Sequence, residues 1–153
     1  MTPRPPAGLA VGIDLVDVRE IAESIALFGD RYVKRIFTEA EAAYARAVPG
    51  EMARRLGARF AAKEAVRKTL PLRDRGVAWR SIEVVLGAGG APQISLSATA
   101  LEAAREAGLS RFSVSLTHQG EIAAAIVVAE HVRMPKSRIW LRRASRARRG
   151  ARG

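Results

Sequence analysis

Cysteine is absent from this 153-residue chain, which excludes a disulfide scaffold, a thiolate zinc site and a thiol nucleophile. The absence also suits a reducing compartment. Histidine is nearly missing: His118 and His131 are the only two, too few for a histidine-rich metal cage. No apolar run reaches the roughly 20 residues of a membrane span. Met1 to Ala7 holds three prolines and no apolar h-region, so it does not read as a signal peptide, and a cytoplasmic location is expected. What is present is a globular composition, 48% hydrophobic and 27% charged, of a length that suits one domain.

Acidic residues are also missing from one end. The net charge of +11 suggests a nucleic-acid binder until it is located. Residues 131–153 hold nine Lys/Arg and no Asp/Glu, whereas residues 1–130 hold 17 Lys/Arg against all 15 acids. The body is therefore near neutral, and the excess belongs to a tail. Aromatics are only 5% and no nucleic-acid fold signature is present, so a nucleic-acid binder working through the Arg-rich tail is the rival reading and nucleic acid is not an expected partner. Three regions follow: a disordered leader at 1–7, a domain at 8–130, and a basic, disordered tail at 131–153, expected to be dispensable for folding.

Hydrophobic patterning predicts a strand over Gly8–Val16, with Leu9, Val11, Ile13 and Leu15 on one face and Ala10, Gly12, Asp14 and Val16 on the other. Asp17 with Glu20 starts a helix to Phe28, stopped by Gly29. Thr38 with Glu41 opens a second helix, ended before Pro49. The longest helix spans Ala53 to Leu70, ended by Pro71. Strands follow at Arg80–Leu86 and Gln93–Leu96 around a turn at Gly87–Gly90. Thr99 with Glu102 caps a helix ending at Gly108, and strands at Arg111–Thr117 and Ile122–Glu130 form a hairpin through His118–Glu121. Without a βαβ rhythm, the fold class is α+β: an antiparallel sheet packed with a long helix and shorter ones.

The long helix carries the most information. Helical spacing puts Gly57, Ala61, Glu64 and Lys68 on one stripe: two small residues, an acid, a base. Small residues leave room for a ligand or another backbone, and a carboxylate beside such a gap can hold a hard cation. The plain alternative is a solvated Glu64–Lys68 ion pair. Asp14 is an acid inside a strand, on a face shared with Ala10 and Gly12. It is either an exposed edge residue or half of a two-carboxylate Mg²⁺ site with Glu64, leaving coordination positions for water and substrate phosphates. Arg59, Lys63 and Lys68 would supply positive charge for those phosphates. His118 is either a turn histidine capping a backbone group or a donor to phosphate or nucleotide. Gly87–Gly90 is not a phosphate loop, since no Lys-Ser/Thr follows and no helix opens there.

Four motifs then occur in order: Gly12-Ile13-Asp14-Leu15-Val16, Arg59-Phe60-Ala61-Ala62-Lys63-Glu64-Ala65 with Lys68, Gly90-Ala91-Pro92, and Val114-Ser115-Leu116-Thr117-His118. Together, over about residues 8–130, they resemble the holo-acyl carrier protein synthases, the small single-unit 4′-phosphopantetheinyl transferases. The resemblance implies transfer of 4′-phosphopantetheine from coenzyme A to a serine of an acidic apo acyl carrier protein, with release of adenosine 3′,5′-bisphosphate. It implies that Asp14 and Glu64 ligate Mg²⁺. Lys68 would contact phosphate and assist loss of the serine proton, and Arg59 and His118 would hold the nucleotide end of coenzyme A. It also implies a homotrimer with the active site between subunits, and no membrane partner. One departure stands out. Many members follow the lysine with a Gly-containing loop, where this chain has Thr69-Leu70-Pro71-Leu72-Arg73-Asp74.

Overall fold

The computed structural model describes residues 8–70 and 76–132. The expected leader, nearly all of the basic tail and most of the segment after Lys68 lie outside the described residues. In chain order the elements are β1 (Leu9–Asp17), α1 (Val18–Phe28), α2 (Asp30–Ile36), α3 (Glu39–Arg46), α4 (Met52–Thr69), β2 (Ile82–Leu86), β3 (Pro92–Leu96), α5 (Ala98–Ala107), β4 (Leu109–Gln119) and β5 (Ile122–His131). The fold is α+β. One antiparallel sheet has the order β1-β5-β4, and β2 and β3 form a separate hairpin.

Local chemistry sets most boundaries. Asp17 accepts the Arg19 N–H and caps α1, and Gly29, at φ +55°, ends it. The same glycine lets the chain restart as α2, a short helix the patterning did not reveal. Thr38 and Glu41 form the reciprocal box that opens α3. The expected Thr99 cap is corrected: α5 starts at Ala98, with Ser97 in the cap position. The Thr99 hydroxyl instead accepts the Ala78 N–H and meets the Ser81 hydroxyl, tying α5 to the turn before β2. The β4–β5 hairpin is also tighter than expected. Its strands run to Gln119 and from Ile122, so Gly120-Glu121 is a two-residue turn with Gly120 at φ +59°. His118 therefore sits within β4, paired with Ala123, and not in the turn.

Helix α4 lies across the sheet on the face that holds Gly12, Val16, Ala123, Ala125 and Val127, all buried. A Cβ on Gly12 would sit 1.9 Å from the Ala65 carbonyl oxygen, so only glycine permits β1 to approach α4 this closely. The opposite face of β1 has no cover among the described residues: Leu9, Val11, Ile13 and Leu15 are 57–68% exposed. Register sets Ile126 of β5, also exposed, beside Ile13.

Candidate active site

The α4 stripe predicted from sequence divides in two. At its N-terminal half, Gly57 is filled from within the protein by Val18, Ile21 and Ala123. Ala61 is likewise fully buried. The small residues there serve backbone and side-chain packing and leave no ligand gap. One turn further, the Gly12–Ala65 contact brings Asp14 against the last turns of the helix. The Lys68 ammonium donates to the Asp14 carboxylate at 2.9 Å and to the Ile13 carbonyl at 2.7 Å. A helical side chain leans toward the helix N-terminus, so Lys68 covers the turn that starts at Glu64. The simple Glu64–Lys68 pair is thus replaced by a pair spanning 54 residues of sequence. Among the described residues, the cation that pairs with Glu64 is Arg67, at 3.7 Å. Asp14, Glu64 and Lys68 all remain partly open to solvent on this flank, with 17%, 28% and 52% of their side chains exposed.

The other flank of α4 is closed. Lys63 is fully buried and pairs with Glu41 of α3 at 2.8 Å. It also donates to the Trp79 carbonyl at 3.1 Å and to the Ile82 carbonyl. Burial pushes the Lys63 ammonium below its ordinary pKa, and Glu41 opposes that shift. Glu41 is further satisfied by the Val84 and Thr38 N–H groups, at 3.0 and 2.9 Å. The expectation that Lys63 offers charge to a phosphate is therefore corrected: its donors are committed to joining α3, α4 and β2.

Arg59 shares this flank. It is 4% exposed, and its guanidinium lies 3.8 Å from the centre of the Tyr44 ring, which Arg55 also approaches at 4.5 Å. Burial lowers its pKa as well. The structure thus brings Asp14 and Lys68 together, with Glu64 on the same helical face, and holds Arg59 on the opposite side of α4. His118 projects from the same sheet face as Asp14, two strands away and exposed. Sequence reading missed Gly12 as the contact that sets strand against helix, Glu41 as the partner of Lys63, and Tyr44 as the surface beneath Arg59. The capping-box position of Glu41 was legible, but its partner 22 residues on was not.

Asp14 and Glu64 are hard oxygen donors, one paired with Lys68 at 2.9 Å and one 3.7 Å from Arg67. Among the described residues, no three acidic, histidine or cysteine side chains cluster as a metal site. Two carboxylates on one flank would leave most coordination positions of a hard divalent cation such as Mg²⁺ to water and phosphate oxygens.

The fold and motifs define a class. The family described as the 4′-phosphopantetheinyl transferase superfamily matches residues 10–127. Within it, the chain is 44% identical over 125 residues to holo-[acyl-carrier-protein] synthase of Salinispora arenicola, covering 80% of this chain and 98% of that one. The crystal structure of holo-[acyl-carrier-protein] synthase from Neisseria meningitidis superposes with a TM-score of 0.70 at 33% identity, covering 79% of this chain and 97% of that one. That of Bacillus anthracis, in complex with CoA (3′,5′-ADP), gives 0.64 at 28% identity, covering 80% and 96%. The chain belongs to the holo-acyl carrier protein synthase family of phosphopantetheinyl transferases, and it is an enzyme of that class.

Proposed function

We propose that this enzyme moves 4′-phosphopantetheine from coenzyme A to a serine of an apo acyl carrier protein, with Mg²⁺ held by Asp14 and Glu64. The observation that carries the reading is the flank where the Gly12–Ala65 contact brings Asp14 to Lys68, one turn from Glu64. Asp14 and Glu64 would hold the metal on its protein side. When bound, Mg²⁺ offsets the negative charge of the pyrophosphate. The serine hydroxyl gives its proton to solvent water as its oxygen bonds to the phosphorus that bears pantetheine, the bridging P–O bond breaks, and adenosine 3′,5′-bisphosphate leaves with that oxygen. Lys68 supports this as a charge-stabilising donor, since both of its observed hydrogen bonds are donations. His118, exposed near the hairpin end of the sheet, is assigned to the nucleotide end of coenzyme A. Arg59 reaches that ligand only by turning off Tyr44.

The same reading includes a homotrimer with the site between subunits. Its support is the outward face of β1, four aliphatic side chains in a row that no described residue covers, continued by Ile126. No described helix is long and apolar enough to cross a membrane, and the chain lacks cysteine, in keeping with a cytoplasmic role. Intact-mass spectrometry of apo carrier protein incubated with enzyme, coenzyme A and Mg²⁺ tests the reaction. A gain of one phosphopantetheine mass is expected, and an unmodified carrier protein with metal and coenzyme A present would reject it.

A further inference from the structure

Arg54, Arg59 and Arg67 of α4 each bury an Nε–H that has no hydrogen-bond partner among the described residues. Two of them use their other donors. Arg54 donates to the Glu51 carboxylate at 2.7 Å, and Arg59 to the Arg55 carbonyl at 3.4 Å. Arg67 differs. Among the described residues its carboxylate partner is Glu64, at 3.7 Å, too far for a hydrogen bond, and its guanidinium donates none.

This idle side chain is nevertheless held in place. Its guanidinium carbon lies 4.2 Å from the centre of the Trp79 ring, in the turn before β2. Trp79 stacks in turn on Phe60 of α4, with ring centres 5.1 Å apart and planes tilted by 30°. Phe60, Glu64 and Arg67 follow helical spacing along one side of α4, so Trp79 spans the turn that carries Glu64. The helix dipole favours a cation in the last turn of α4, but it asks for no ring beneath that cation. A guanidinium stacked on an indole is fixed in orientation and keeps its donor edge for an anion. The Arg67 side chain is a quarter exposed, so an anion in solvent can reach it.

Helical spacing puts Arg67 and Lys68 on either side of Glu64. Each is braced from outside the helix, Lys68 by Asp14 and the Ile13 carbonyl, Arg67 by Trp79. We propose that Arg67 is a further substrate-binding residue, which grips the coenzyme A pyrophosphate on the side of Glu64 away from Lys68. This assignment rests on the transferase reading above. The ligand class follows from the donor geometry: a planar fork matches two oxygens of one phosphate, where an ammonium offers only a point charge. The place beside Glu64 selects the pyrophosphate. The 3′-phosphate of coenzyme A is separated from it by the ribose.

Calorimetry of coenzyme A and of dephospho-coenzyme A, each with Mg²⁺ and without carrier protein, tests this on wild type and Arg67→Met. Dephospho-coenzyme A keeps the pyrophosphate and lacks the 3′-phosphate. Both ligands should bind Arg67→Met more weakly by the same factor, on the order of tenfold, as expected for lost hydrogen bonds to a charged group. Unchanged affinity for coenzyme A overturns the proposal, and so does a loss confined to coenzyme A, which would place Arg67 at the 3′-phosphate. A merely structural Arg67 predicts a lower Tm with neither affinity changed. Trp79 supplies a second readout that leaves Arg67 in place, since it is the only tryptophan of a Trp140→Phe variant. Its emission should change saturably as coenzyme A is added, with the calorimetric Kd. Emission that stays flat to saturation overturns the proposal even if Arg67→Met fails to fold. Failure of the transferase reading is separate: coenzyme A binding that depends on Arg67, with carrier protein left unmodified, would reject transfer alone.

Discussion

The two flanks of α4 carry the same chemistry and put it to opposite uses. On one, Lys63 meets Glu41 at 2.8 Å with neither side chain exposed. On the other, Lys68 meets Asp14 at 2.9 Å with the lysine half in water. The closed pair has every partner it can use, and its lysine cannot leave without stranding a buried carboxylate. The open pair can be broken at little cost to the fold, as the proposed roles of Asp14 toward a cation and Lys68 toward a phosphate require. An acid–base pair is therefore structural or functional according to burial and second partners, not residue type.

Breaking the open flank should have the largest effect. Asp14→Asn and Glu64→Gln keep the shape but remove the charge a hard cation needs, so turnover should fall by orders of magnitude while circular dichroism and Tm stay near wild type. Wild-type activity that persists in excess chelator would contradict the assignment. The closed flank should give the reverse pattern. Lys63→Met leaves Glu41 buried and unpaired, with an expected loss of about 3–5 kcal/mol in urea unfolding. Adding Glu41→Gln should recover part of that loss, which no phosphate-binding role for Lys63 predicts.

Gly12→Ala tests the contact that joins strand to flank. With the Ala65 oxygen 1.9 Å from the new methyl, backbone must shift, costing about 1–3 kcal/mol and lowering turnover together. A variant that keeps full activity and Tm would show that the two elements are not held this closely. Lys68→Met should be milder for stability, below about 1 kcal/mol because the pair is half exposed, yet clearly slower in turnover. The smallest effects should separate His118 from Arg59. His118→Ala should raise the KM for coenzyme A with Tm unchanged. Arg59→Ala should lower Tm, because the guanidinium leaves the Tyr44 ring. A KM that does not move with Arg59→Ala would confine that residue to the closed flank.

Short-range signals made much of this molecule legible. The capping box at Thr38 and Glu41, the glycine stop at Gly29 and the alternation along β1 act through neighbours in sequence, so propensity and period reveal them. Asp14, Glu64 and Lys68 were also legible as candidates, because an acid in a strand and an acid–base stripe beside small residues depart from ordinary patterning. Helix α2 was not, being seven residues without a side-chain cap.

What the chain's patterning could not settle was which face of β1 turns inward and which lysine is spent. Four aliphatic residues on one side and Ala10, Gly12, Asp14 and Val16 on the other suggest by hydropathy alone that the aliphatic side is core. Tertiary packing chose the other side, because only a face with glycine at its centre lets α4 approach to backbone distance. The same packing buried Lys63 against a carboxylate 22 residues away and left Lys68 to reach Asp14 across 54. Both lysines lie in one helix with similar neighbours, so local sequence ranks them alike. Only the three-dimensional arrangement, which closes water off from one flank and leaves the other open, decides which charge is structural and which is available for chemistry.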